Sequence, residues 1–286
     1  LVYTRRAFST QYHEARGWLA GRFREAGLKT RVDQAGNLIG RLGDTKGPVL
    51  MMGSHTDTVE AGGRFDGIVG VIGALEVARC LQEAGVTLSR PLEVVDFVCE
   101  EPSVVNLSPL GSRIMAGDVT AEMVSSTSTP FGESLGDAIS SLGGDPFRLV
   151  DARRHLGELF GYRELHIEQG PILEAENISI GVVTGGQGSY WTHITLHGQG
   201  SHAGTTPMHY RKDPIMGASR IITGLREIVL KQPGAVGTVG RLETKPSSIN
   251  SIPGQVFFTV DTRHPNEEIL AKINVDLKNL VNSICS

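Results

Sequence analysis

Apolar residues recur at helical spacing from residue 11 to residue 26 and Gly27 interrupts them, which predicts a helix leading into strands at residues 28–33 and 38–42. The next run, residues 48–52, is short and continuously apolar, as suits a strand covered on both faces. Gly67, Gly70 and Gly73 then open a helix that reaches about Glu83. Spaced three apart, they share one helical face, and close packing on a sheet accounts for them better than a phosphate cradle does. Residues 92–99 read as a second buried strand and residues 163–167 as a third, shorter one. Strands and helices in this order predict an α/β domain with a mixed sheet.

After Asn177 the texture changes. Residues 178–183 and 191–197 alternate as strands do, 213–229 is helical, 235–243 and 255–262 are strands, and 266–284 is a helix. That order is a split βαβ, or ferredoxin-like, unit lacking its final strand. The pattern therefore predicts two domains, 1–177 and 178–286, with the second cut short at its carboxyl end.

Composition narrows the function more than the fold. A chain of 286 residues has room for two domains or one large one. With a net charge of -4 and no basic stripe, nucleic acid is not an expected partner. No apolar run reaches the roughly 18 residues of a membrane span, and the amino terminus lacks the plan of a signal peptide. The expectation is a soluble, cytoplasmic protein without a membrane partner. Cys80, Cys99 and Cys285 show no Cys-X-X-Cys spacing, so neither a disulfide framework nor a thiolate zinc site is indicated. Cys80 and Cys99 lie in apolar elements and read as buried thiols.

Candidate chemistry sits where apolar runs end. His55 and Asp57 fall in Gly-Ser-His-Thr-Asp-Thr, Asp66 in Phe-Asp-Gly, Glu100 and Glu101 stand side by side, and His166 lies in His-Ile-Glu-Gln-Gly. Imidazole and carboxylate are ligands for zinc and similar ions, and a hydrolytic site adds a carboxylate that is not a ligand. A carboxylate such as Asp66 can bridge two ions about 3.5–4 Å apart. Singly, each motif has a plainer reading: a loop hydrogen bond, a turn at Asp-Gly, a solvated acidic pair. Their joint placement at strand ends is what favours a shared site, because open α/β sheets gather ligands at that end of their strands. No Gly-X-Ser-X-Gly elbow is present, and Ser54, His55 and Asp57 are too close in sequence for a serine-hydrolase triad.

Together these motifs, with Gly-Ser-His202-Ala-Gly-Thr-Thr-Pro-Met and Asp-Thr-Arg263-His-Pro, resemble the M20-type metallohydrolases, and within them the N-carbamoyl-amino-acid hydrolase and allantoate amidohydrolase branch. The resemblance implies a catalytic first domain and a dimerisation or lid second domain in a homodimer. It implies two divalent ions, zinc, manganese, cobalt or nickel, with His55 and His166 on one, Glu101 on the other and Asp66 bridging. Asp57 would orient His55, Glu100 would be the general base, and His202 would stabilise the oxyanion. Gln169, Asn250 and Arg263 would hold a small carbamoyl or ureido substrate, the Arg263 fork suiting a carboxylate.

The chain departs from that pattern in two places. Val104-Val105 stands where an Arg-Phe pair is usual, and the returning segment that carries the last metal-ligand histidine is absent. The expected activity is hydrolysis of a carbamoyl C–N bond, as in an N-carbamoyl-L-amino acid. The alternatives are allantoate hydrolysis, a peptidase or deacylase of the same superfamily, and a truncated metal-binding fragment without turnover.

Overall fold

The computed structural model describes residues 3–285. Ser9 opens the first helix, α1 (Thr10–Glu25), by accepting the amide of Tyr12 on its hydroxyl at 3.3 Å. Gly27, at φ 73°, takes the left-handed turn that ends the helix and starts β1 (Lys29–Val32). Four further strands complete one sheet: β2 (Leu38–Leu42), β3 (Val49–His55), β4 (Leu92–Phe97) and β5 (Leu159–Arg163). α2 (Ile68–Glu83) joins β3 to β4, and α3 (Leu110–Ala116), α4 (Ala121–Ser125), α5 (Leu135–Ser141) and a 3-10 turn (Leu149–Ala152) separate β4 from β5. A short α6 (Ile172–Ala175) follows β5.

The sheet order is β1-β2-β4-β3-β5. β3 runs parallel to both β4 and β5, whereas β2 is antiparallel to β1 and β4, so the sheet is mixed. Every residue of β4 is buried, and its side chains divide between two layers. Val94 packs with Leu19, Phe23, Val71 and Ala74 on one face, and Val95 packs with Ile39, Val49, Met51 and Met115 on the other. Each such side chain contributes roughly 1.5–3 kcal/mol by leaving water, which fixes β4 as the axis of the domain.

The parallel register has a direct consequence. His55 pairs with Phe97 across β3 and β4, and Met52 pairs with Arg163 across β3 and β5. Three strands therefore end on one edge, and the chain leaving each carries His55, then Glu100-Glu101, then His166. The strand expected at residues 163–167 ends at Arg163, where that expectation had it begin. The apolar residues Leu165 and Ile167, which suggested a strand, are exposed beyond the ladder.

The chain divides into two compact units between Ser179 and Ile180. In the second, β6 (Gly188–His197), β10 (Gln255–His264) and β8 (Val236–Lys245) form an antiparallel sheet in the order β6-β10-β8. β7 (Ser201–His202) pairs with β9 (Ser251–Ile252) in a separate short ladder. α7 (Pro214–Leu230) starts on Asp213, which accepts the amide of Ile215 at 2.9 Å, with proline in the first turn. Ile221 and Leu225 of α7 and Leu277 of α8 (Glu267–Cys285) bury against Val256, Phe258 and Val260. The main elements run strand, helix, strand, strand, helix. Residues 178–183 are not a strand: Ile180, Val182 and Val183 are exposed and no ladder pairs them.

Two smaller expectations also resolve. Cys99 is buried, but Cys80 is exposed on α2, its thiol directed at Glu76. Val104 and Val105 pack into a core cluster with Leu110, Ile114 and Leu135.

Candidate metal centre

His55, the last residue of β3, is 3% exposed. Its Nδ1 lies 3.0 Å from the carbonyl oxygen of Asp57 and 3.6 Å from that residue's Oδ1. His166 repeats the arrangement, with Nδ1 2.9 Å from the carbonyl of Ile167. Hydrogen bonds of this kind place the proton on Nδ1 and leave Nε2 as a lone-pair donor. Both Nε2 atoms face Asp66, whose Oδ1 is 3.2 Å from His166 and 4.0 Å from His55. The two rings are 5.9 Å apart.

Asp66 shows that these residues fit a divalent cation. Its Oδ1 is buried and receives no hydrogen bond from the described residues, while its Oδ2 accepts the amide of Gln169 at 2.8 Å. A buried carboxylate oxygen without a donor is costly. Two imidazole lone pairs and a carboxylate oxygen aimed at one point repel each other unless positive charge sits among them. Ligand atoms of His55, Asp66 and His166 all lie within 4.8 Å of one another, as do those of His55, Glu100 and Glu101. Among the described residues no such trio unites Asp66 with Glu101; the residue common to both groups is His55.

Backbone and charge reinforce the arrangement. The carboxylate of Asp57, wholly buried, accepts the amides of Glu100 at 3.2 Å and Glu101 at 3.0 Å, which ties the loop after β3 to the end of β4. Gly67, at φ 67°, leaves space for His55: a Cβ there would overlap the imidazole. Gly70 lets α2 meet the carbonyl of Leu165 and the side chain of Ser54, so the glycine face serves close packing, against the strand ends rather than an anion. Burial opposes a charge on His55, but the Asp57 hydrogen bond and the carboxylates of Asp57 and Glu100 override it and, with no cation bound, take the imidazole up to about 9, so that a cation would displace a proton from Nε2. Burial, aided by Glu100, pushes Glu101 up to about 7, and burial also raises Glu100. The centre is an acid-rich pocket that holds on to positive charge.

The remaining expected residues lie apart from this cluster in the sequence and in the second unit. His202 on β7 is exposed, its Nδ1 accepting the amide of Gly204 at 3.1 Å. It pairs across the β7–β9 ladder with Ser251, which brings it beside Asn250; Asn250 in turn accepts the hydroxyl of Ser248 at 2.8 Å. Arg263 is exposed on β10 and forks onto Asp261 of the same strand at 2.7–3.1 Å. His264 is a buried histidine satisfied by the amide of Asn266 and the carbonyl of Pro233. Two residues at the centre, Glu164 and Tyr162, went unsingled in the sequence, and Ser54, to which they are linked by hydrogen bonds, was weighed there only as a triad serine. The one available signal was position, since Glu164 precedes His166 by two and Ser54 directly precedes His55.

The chain is similar to proteins of known sequence and structure. The chain is 41% identical over 268 residues to an N-carbamoyl-L-amino acid amidohydrolase of Geobacillus stearothermophilus, covering 93% of this chain and 65% of that protein. It is 34% identical to an allantoate amidohydrolase of Bacillus subtilis, covering 99% and 69%. A crystal structure of an amidase of the hydantoinase/carbamoylase family from Burkholderia multivorans superposes with a TM-score of 0.85 at 40% identity, over 98% of this chain and 68% of that one. The chain thus spans about two thirds of the length of these relatives. Residues 51–282, which include every residue of the centre, match the sequence profile of peptidase family M20/M25/M40, and the chain belongs to that family.

Proposed function

We propose that the centre hydrolyses the C–N bond of a carbamoyl or ureido compound, with an N-carbamoyl-L-amino acid as the first candidate. The observation that carries this reading is the convergence of His55, Asp66 and His166 on one point, with Asp66 Oδ1 buried and unpartnered. His55 and His166 would hold one divalent ion, Glu101 a second, and Asp66 both. Such ions, when bound, polarise a carbonyl and bring the pKa of water to about 7.

The chain's own groups do the rest. Glu100 takes a proton from the attacking water and returns it to the leaving nitrogen. Asp57 keeps Glu100 and Glu101 in place through their amides and holds the proton on Nδ1 of His55. Gln169 orients Asp66. His202 is assigned to the developing oxyanion, and Gln169, Asn250 and Arg263 to the substrate. The second unit takes the part of a lid or dimerisation domain, and the chain is homodimeric. Allantoate is the second candidate, favoured by the similarity to the Bacillus subtilis protein.

The test is product release by the metal-loaded chain from an N-carbamoyl-L-amino acid, from allantoate and from a dipeptide. Ammonia from the first or second, with the dipeptide intact, is expected. Cleavage of the dipeptide without ammonia from either ureido compound would contradict the assignment in favour of a peptidase.

A further inference from the structure

The ladder between β3 and β5 stops at Met52 and Arg163, yet the two histidines lie three residues further along the chain, His55 at the end of β3 and His166 past the end of β5. Something other than backbone pairing has to fix their separation. Three side chains bridge the gap. Oε1 of Glu164 accepts the hydroxyl of Ser54, the residue before His55. Oε2 of Glu164 accepts the phenol of Tyr162 at 2.8 Å, and the same phenol lies 3.0 Å from the carbonyl of Gly53. Burial first, and then the charge of Glu164, push that phenol well above its ordinary range, so it stays a donor.

The opposite side is closed by a helix. Gly70 of α2 sits against the Leu165 carbonyl, with a Cβ on it falling 2.7 Å from Cβ of Ser54. The segment carrying His166 is thus held to β3 by Glu164 and pressed against it by α2. We propose that Glu164, together with Ser54 and Tyr162, is a positioning residue that sets the distance between His55 and His166 and so the geometry of the cation site.

The inference rests on the metal reading given above, and it adds a group that belongs to neither of the two clusters able to hold an ion. Outer groups that fix ligand histidines typically change metal affinity by about 10–100-fold when removed. A phenol carries one proton, which it can donate to the Gly53 carbonyl while its oxygen accepts from an amide. Glu164→Gln can therefore keep the bridge: its carbonyl accepts from Ser54 and its amide donates to Tyr162. Glu164→Ala cannot.

The experiment is a titration of the chain with Co²⁺ alone, read by affinity and by the visible absorption band of the bound ion, for wild type, Glu164→Ala, Glu164→Gln and Ser54→Ala. Circular dichroism checks that each variant is folded. The expected result is a loss of about 10–100-fold in affinity with an altered band for Glu164→Ala, a change in the same direction for Ser54→Ala, and near wild-type behaviour for Glu164→Gln. Should Glu164→Ala not fold, Ser54→Ala, which removes one hydroxyl and no bulk, decides alone. Wild-type affinity and band in the folded alanine variants would overturn the bridge. A wild-type chain that binds no Co²⁺ would overturn the metal reading instead, a different result from a different sample.

Discussion

Glu100 and Glu101 are neighbours in sequence, share the clamp of Asp57 and group with His55, so their roles separate only by consequence. A base can be removed without emptying a cation site, whereas a ligand cannot. Glu100→Gln is expected to lower turnover by about 10²–10⁴-fold while the metal content of the purified chain stays unchanged. Loss of the metal on that substitution would assign Glu100 as the ligand and exchange its role with Glu101. Most residues of the centre were legible in the sequence because several imidazole and carboxylate motifs, each ordinary alone, all stand at the ends of apolar runs. Glu164 was not, because a lone glutamate beside a strand is ordinary until its partner Ser54, 110 residues away, is known. The fork of Arg263 onto Asp261 was hidden for a different reason: two residues apart on a strand share a face, but sequence does not say whether they meet.

Elements carry the centre through a buried ion pair on the other side of the sheet. Arg16 of α1, 6% exposed, lies 3.2 Å from Oδ2 of Asp96 in β4, and Asp96 also accepts the hydroxyl of Thr56, next to His55. Removing one partner of such a pair leaves an uncompensated buried charge, at a cost of about 3–5 kcal/mol. Arg16→Met should destabilise the chain by that order in urea denaturation above pH 6, and adding Asp96→Asn should restore much of the loss. The pH dependence has a definite sign. Burial takes Asp96 up to about 6 against the opposing pull of Arg16, so the folded chain keeps a proton that the unfolded chain has released. That contribution is fully present below about pH 4 and is lost as pH rises through about 6. Wild type should therefore lose stability relative to Asp96→Asn across this window, and parallel pH profiles would contradict the assignment. Helices and buried strands were readable from periodicity, as α1, β4 and α7 attest. Residues 163–167 and 178–183 misled because alternation in a segment with no ladder partner looks the same as alternation in a strand.

For the whole molecule, one topological choice decides where chemistry gathers: β3, β4 and β5 run parallel and end on one edge. The mixed α/β character and the strand, helix, strand, strand, helix order of the second unit followed from pattern alone. The convergence of three loops separated by up to 111 positions, from His55 to His166, did not. It depends on register, which the turn at Gly67 and the clamp at Asp57 help to set through contacts distant in sequence. The central claim, that His55, Asp66 and His166 form a divalent-metal site, is tested most directly by anomalous scattering at the zinc edge from crystals of the chain grown with Zn²⁺. A peak about 2.0–2.2 Å from Nε2 of His55, Oδ1 of Asp66 and Nε2 of His166 is expected. A zinc-loaded crystal with no peak among those three atoms, and with Oδ1 of Asp66 bonded to protein or water instead, would contradict it.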